Sequence, residues 1–300
     1  MAKGRELKGR IKSFENTRKI TRTMEMVATS KMKRAQDRVV AARPYAAALR
    51  EVIASLYDPE LASRFPLLRQ PATVRRAAVI ALTSNRGLAG AFNANLIREA
   101  RTLVERLESA GTTVDLYAVG RKGVGYFRYV GRQVAAARTD LTDRPSAQDA
   151  SDIVGPAVEG FAAGTLDAVY VVYARFVSAL TTPPTTDRIL PVQPPEREAS
   201  SGGGGKSSVL SSRRHDYILA PSAESILESL LPAYVRNAVY RALVETAAAE
   251  QGARRTAMKN ATDNANDVIN GLRRQYNRAR QAQITQEIAE IVGGAAALSG

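Results

Sequence analysis

"AVYRALVETAAAEQGARRTAMKNATDNANDVINGLRRQYNRA", residues 238–279, runs without a proline and keeps one periodicity from end to end. Small or apolar side chains fall at Ala238, Ala242, Thr246, Ala249, Ala253, Ala257, Ala261, Ala265, Val268, Leu272, Tyr276 and Ala279. The steps are of three and four, which makes one stripe along an α-helix. Upstream the stripe continues through Leu227, Leu230 and Tyr234, and downstream the helical period lasts to Leu298. Pro232 marks a kink or a restart near the beginning. A helix over 222–298 has about 75 residues and a length of about 110 Å. A compact domain of this size cannot bury that length internally. The alanine-rich stripe lets a second helix approach closely, so a mate is required.

The mate lies at the other end of the chain. Residues 3–56 read as one helix, with a narrow stripe through Leu7, Ile11, Phe14, Thr17, Thr21, Met24, Ala28, Ala35, Val39, Ala42, Ala46, Leu49, Ile53 and Leu56. Pro44 bends it. Because the middle of the chain connects the two helices, they run antiparallel as a coiled coil. With their inner ends aligned, the last helix overhangs by about 20 residues, or about 30 Å. That overhang, "QAQITQEIAEIVGGAAALSG", carries Ile284, Ile288, Ile291 and Val292. A lone helix tip with apolar residues needs cover. The expectation is a sleeve-like partner around the tip; the alternative is a frayed terminus.

Between the helices the period changes. "RRAAVIALTSN", "TTVDLYAVG", "QVAAART" and "LDAVYVVYARF" are short β-rich runs, separated by helical stretches near 91–110, 122–130 and 146–163. This rhythm predicts a mainly parallel sheet covered by helices. "TTPPTTDRILPV" adds an edge strand, where prolines are tolerated. "HDYIL" reads as a last short strand. The predicted organisation is an N-terminal helix over 1–57, an α/β domain over 75–195, a flexible Gly/Ser loop over 196–214 and a C-terminal helix over 222–298.

Composition removes much chemistry. The chain has no cysteine and one histidine, His215, which excludes disulfides, thiolate nucleophiles, His-based triads and multi-histidine metal sites. No apolar run is long enough to span a bilayer, and the N-terminus lacks the apolar core of a signal peptide. The composition reads as a soluble, reduced, bacterial cytoplasmic protein. The net charge is +14. Residues 1–50 hold 14 Lys and Arg against Glu6, Glu15, Glu25 and Asp37, an excess of 10 positive charges in one sixth of the chain. Such a block either is a solvated helix face or seeks an anionic partner. A nucleic-acid rod is one reading of it, but no nucleic-acid motif or aromatic stacking cluster accompanies it.

Three glycine-bearing stretches invite a nucleotide reading. "SSGGGGKSS", residues 200–208, ends like a phosphate-binding loop, but Ser200 stands where that motif needs glycine, and no strand precedes it. "GRKGVG", residues 120–125, carries its glycines in the reverse of the dinucleotide spacing. There Gly120 makes a strand-to-helix turn and Gly123 allows close packing. "SNRGLAG", residues 84–90, follows the first strand and reads as a turn with helix-capping polar groups. No acid/base pair is evident by spacing, and neither a catalytic residue, a cofactor nor a metal is assigned.

"IKSFENTRKITRTMEMVATSKMKRAQDR", "ARPYA", "TSNRGLAGAFN", "GRKGV", "EQGARRTAMKNATDNA" and "YNRARQAQITQEIAEIVGGAAAL" resemble, in order, the gamma subunits of F-type rotary ATP synthases. The resemblance runs from about residue 3 to 298 and is most specific in the two terminal blocks. It implies an α/β chain in which an antiparallel coiled-coil shaft of N- and C-terminal helices joins a Rossmann-like middle domain. It implies no catalysis by the chain itself, the catalytic sites lying in beta subunits. Implied partners are three alpha and three beta subunits around the shaft, an epsilon subunit, and the membrane ring of c subunits. The implied place is the cytoplasmic face of the inner membrane, peripheral, within the complex. Rotor–stator contacts carry over to Met24, Lys31, Lys33, Arg34, Arg254, Gln281, Thr285 and Glu290; each could instead stabilise the coiled coil. Ala220 departs from the family pattern, where many relatives place an acid before proline. The cysteine pair of the chloroplast form is missing.

Overall fold

The computed structural model describes residues 2–56, 64–192 and 222–299, with side chains for all of these except 2–4, 223 and 296–299. The Gly/Ser loop, the "HDYIL" strand, Ala220 and His215 lie outside the described residues. In chain order the elements are α1 (Ala2–Leu56), a 3-10 turn (Pro66–Leu68), β1 (Arg76–Leu82), α2 (Phe92–Ser109) and β2 (Thr113–Val119). There follow α3 (Arg121–Tyr129), β3 (Ala136–Arg138), α4 (Ala147–Ala162), β4 (Ala168–Ala174), β5 (Pro184–Leu190) and α5 (Ala223–Ser299). Helix α5 runs unbroken through Pro232, so that residue starts no new helix, and α1 likewise continues through Pro44.

The strands form one five-stranded sheet in the order β3-β2-β1-β4-β5. β3, β2, β1 and β4 are parallel, with Val79 opposite Leu116 on one side and Tyr170 on the other. β5 is the antiparallel edge strand and opens on Pro184, where a missing N–H matters least. Reversal of strand order at β1 gives the Rossmann-like half that the β-α-β rhythm predicts.

The described chain divides into two compact units, Lys31–Ala253 and the pair Met1–Ser30 with Arg254–Gly300. In the first, alternation along the central strands feeds two cores. Ile80, Leu82, Val169, Val171 and Tyr173 pack with Ile53, Phe161, Leu231 and Val239. Val79, Ala81 and Val172 pack with Leu96, Leu103, Phe127, Val244 and Ala248. Helix α4 is started by a capping box in which Ser146 and Asp149 exchange backbone and side-chain hydrogen bonds.

The second unit is a helix pair. Glu15 meets Arg273 at 2.6 Å, Arg18 meets Asn266 at 3.0 Å, and Thr21 meets Thr262 at 2.7 Å. As the number falls on α1 it rises on α5, which makes the pair antiparallel. Its buried seam is Thr21, Ala28, Met258, Thr262, Ala265 and Ile269. Small and polar residues predominate there, as close helix approach demands.

Candidate functional site

Two surfaces carry the residues that the sequence singles out, one in each unit. On Lys31–Ala253, α1 presents Lys31, Lys33 and Arg34 beside the loop after β3. Lys31 forms an ion pair with Asp143, and Arg38 donates to the Asp143 carbonyl at 3.4 Å. Lys33 pairs with Asp37 one turn on, at 3.0 Å. Both pairs are exposed, so each contributes no more than about 1 kcal/mol. These cations are therefore held by exchangeable partners. Asp143 lies 112 residues from Lys31 in sequence, and nothing in the local pattern announces it.

A cleft of about 640 Å³ opens next to this face, at the C-terminal ends of β1 and β2. Arg86, Arg121 and Arg144 stand around it, while α5 contributes Thr246 and Glu250. Sequence reasoning passed over those three arginines, although each lies in the segment that follows a strand, which was a usable signal. The turn at its floor is tightly committed. The Arg121 N–H donates to Asn85 Oδ1 at 2.9 Å, the Lys122 N–H to the Ser84 carbonyl at 3.1 Å, and the Gly123 N–H to Thr83 Oγ1 at 2.9 Å. The opening N–H groups of α3 are thus filled by the chain's own polar groups. A Cβ on Gly120 would stand 2.2 Å from the Thr83 carbonyl oxygen, and one on Gly123 would stand 2.7 Å from Thr83 Oγ1. The glycines of "GRKGVG" let α3 approach Thr83, which is the turn and packing role that their spacing suggests. Ser84 and Asn93 likewise bond each other across the start of α2, with the Ser84 N–H on Asn93 Oδ1 at 3.0 Å.

The second surface belongs to the helix pair. Met24 is half-buried, and Arg254 is 8% exposed. Gln281, Thr285 and Glu290 are exposed on α5. Thr285 donates to the Gln281 carbonyl at 3.0 Å, and Glu290 accepts from Gln286 at 2.9 Å. Gln281 and Thr285 share a face; Glu290, five residues on, points elsewhere. Among and just beyond them Ile284, Ile288, Ile291 and Val292 are 46%, 56%, 71% and 63% exposed, so these side chains are left uncovered among the described residues. Ile20, Met26 and Val27 are also exposed, at 61%, 68% and 50%. The stripe through Thr21, Met24 and Ala28 leaves them off the seam, and that off-stripe position was a signal the sequence reading did not use.

Among the described residues no group of three or more His, Asp or Glu side chains is placed to hold a metal ion. No helix among the described residues is long and apolar enough to cross a membrane.

A family model described as ATP synthase matches residues 3–298. The chain is 64% identical over 300 residues to the ATP synthase gamma chain of Gemmatimonas aurantiaca, covering 100% of both. It is 41% identical over 299 residues to the ATP synthase gamma chain of Leptospira biflexa, again covering 100% of both. Among solved structures, it shares its fold with a chain of the Euglena gracilis mitochondrial ATP synthase (OSCP, F1 and c-ring), at a TM-score of 0.66 and 21% identity. That likeness covers 99% of this chain and 95% of the other. A chain of the Tetrahymena thermophila mitochondrial ATP synthase central stalk and c-ring matches at a TM-score of 0.59 and 24% identity, covering 81% and 99%.

Proposed function

The chain belongs to the ATP synthase gamma-chain family, and from that premise we propose that it is the rotating central shaft of an F-type ATP synthase. Proton flow through a ring of c subunits turns the shaft, and the shaft turns inside three alpha and three beta subunits. Each orientation presents different side chains to each beta subunit and so shifts its conformational populations in turn. Catalysis belongs to the beta subunits, and an epsilon subunit joins this chain below them. The complex holds the chain at the cytoplasmic face of the inner membrane.

The observation that carries this reading is the α5 tip. Three large apolar side chains, Ile288, Ile291 and Val292, sit exposed on a helix end that runs past the first residue of α1 and has no partner among the described residues. In water a lone helix end of this kind is marginal. Seated in an apolar sleeve, it buries those residues and also serves as an axle.

Rotor–stator contact is assigned to Met24, Lys31, Lys33, Arg34, Arg254, Gln281, Thr285 and Glu290. The exposed pairing of Lys31 with Asp143 and of Lys33 with Asp37 suits this role. A carboxylate on a passing beta subunit can replace either partner at little free-energy cost, so no orientation is locked.

The test is co-assembly. Mixed with alpha and beta subunits, the chain should join them at one copy per three pairs and link ATP hydrolysis to rotation. By itself it should hydrolyse no ATP. A chain that stays separate from alpha and beta, or that hydrolyses ATP alone, would overturn the assignment.

A further inference from the structure

Between Arg241 and Gly252, α5 lies along the β4–β5 hairpin, a stretch of about 16 Å. Four contacts tie the two together. Arg241 Nη2 is 3.6 Å from Asp187 Oδ2 on β5. Glu245 Oε2 accepts the Phe176 N–H at 3.1 Å, and Thr246 Oγ1 accepts the Ala174 N–H at 3.4 Å. At Gly252 the helix backbone comes so close that a Cβ would stand 3.3 Å from the Ala179 carbonyl oxygen and 3.6 Å from Met32 Sδ. The hairpin, α5 and α1 therefore meet at one point.

Glu245 is the unusual member. It is 8% exposed, in a stretch where Val244, Ala248 and Ala249 are almost wholly buried. Its carboxylate serves an N–H just beyond the end of β4, on a residue that is itself 5% exposed. Its other oxygen faces Arg241 Nε at 3.7 Å, a buried nitrogen with no hydrogen-bond partner among the described residues. Asp187 in turn accepts from Tyr173 at 2.9 Å. A buried carboxylate is costly unless hydrogen-bonded. Apolar side chains of similar volume would pack this helix onto the sheet without that cost. Apolar packing is non-directional, however, and it resists sliding of a helix across a sheet weakly. A charge-assisted hydrogen bond from strand backbone to helix side chain is directional and resists that displacement.

We propose that Glu245, with Arg241, Thr246 and Gly252, clamps the β4–β5 hairpin to α5, and that this clamp passes torque from the sheet domain to the shaft helix. The proposal rests on the rotary reading above. Glu245 is a positioning residue: it touches no nucleotide and acts through the rigidity of the joint.

The experiment uses the complete complex, reconstituted in phospholipid vesicles, with E245A, E245Q and G252A chains. Protons pumped per ATP hydrolysed, and rotor torsional stiffness from single-molecule rotation, are both read. E245A removes the bond outright and should give the lowest stiffness, and the lowest pumping ratio with it. E245Q keeps a neutral acceptor for the Phe176 N–H, roughly half as strong as the charged one, and should recover about half of the loss. G252A keeps every hydrogen-bonding group but crowds Ala179, and should fall between wild type and E245A. If E245A fails to fold, E245Q and G252A alone decide the matter. Assembled variants with wild-type stiffness and pumping ratio would overturn the clamp while leaving the shaft assignment intact. Failure of the wild-type chain to co-assemble with alpha and beta would remove both.

Discussion

Two stretches of α5 belong to one helix and live in opposite surroundings. From Ala242 to Ala249 only Ala247 escapes full burial, whereas from Ile284 to Ala295 every described residue is exposed. Both stretches are rich in apolar and small residues. In the first, the chain itself supplies the cover, from the strand core on one side and from Met32, Ala35 and Val39 of α1 on the other. In the second it supplies none. The same composition therefore does two jobs, folding the chain in one place and joining it to something else in the other. Mutations should separate the two jobs.

The largest effect belongs to the part of α5 that the chain itself covers. Val239, on α5 one turn before Ala242, is 0% exposed and packs into the sheet core. Val239→Asp places an unpaired carboxylate there and should cost about 4 kcal/mol or more, enough to abolish cooperative folding. Chemical denaturation of the purified chain checks it; a variant with a wild-type unfolding midpoint would mean that this segment is not core.

Next comes the turn beneath the cleft. Gly120 has φ +93°, and a Cβ there would meet the Thr83 carbonyl. Gly120→Ala should cost about 2–3 kcal/mol through strain and the shift forced on β1. The same measurement decides it, and a neutral result would place the turn elsewhere.

A pH dependence follows in size. Burial, then the neighbouring Asp187 carboxylate and the hydrogen bond to it, push the Tyr173 phenol up to about 12. In the unfolded chain a tyrosine ionises near pH 10. The folded state therefore holds this proton more tightly. Its stabilising contribution is intact below pH 10 and is lost as pH rises through 12. Wild type should lose stability across that window more steeply than Tyr173→Phe; parallel curves would contradict it.

A smaller effect is expected at the helix pair. Thr21 and Thr262 share one hydrogen bond while each also reaches a carbonyl of its own helix, at 3.1 and 2.9 Å. Each hydroxyl has one proton, so only one donates across the seam at a time. Thr21→Val leaves Thr262 with its own-helix acceptor and should cost only about 0.5–1 kcal/mol. A loss of several kcal/mol would show that the pair fixes the helix register.

How legible all this was depends on whether the determinant is local. The strands and their helices could be read because a buried strand announces itself in a few consecutive residues, as "AVYVVYA" does for β4. The antiparallel helix pair was legible from length, since α5 outruns what the sheet can cover and the N-terminal segment is the other long helical stretch. The pairing of Lys31 with Asp143 was not, because it joins a helix to a loop through a fold the two segments do not encode. Glu245 shows a different limit. A one-stripe reading assigns it to the outer face, yet α5 is covered on both sides there. The signal was available in "ALVETAAA", which is apolar nearly all round and so marks a buried helix. The tip was read as an overhang of about 20 residues, and the structure shortens it: with Glu15 against Arg273, α1 reaches back to Ala2 at about the level of Gln286, so Ile288, Ile291 and Val292 lie past it while Ile284 does not.

The smallest effect on folding should come from that tip, and it is the sharpest probe of the comparison. Ile288 is 56% exposed. On the isolated chain Ile288→Asp removes no contact among the described residues, so its effect on stability should lie within about 0.5 kcal/mol. In the complex the same side chain would enter an apolar sleeve, where an unpaired carboxylate is expelled. Co-assembly with alpha and beta should weaken by at least about tenfold, equivalent to about 1.4 kcal/mol. Thus Val239→Asp ruins the chain before assembly is reached, while Ile288→Asp leaves the chain whole and should fail only on meeting its partners. If Ile288→Asp unfolded the isolated chain, the tip would have internal cover and the sleeve argument would fall. If it assembled with wild-type affinity, the exposed isoleucines would be incidental, and the shaft would have to be held by its basic face instead.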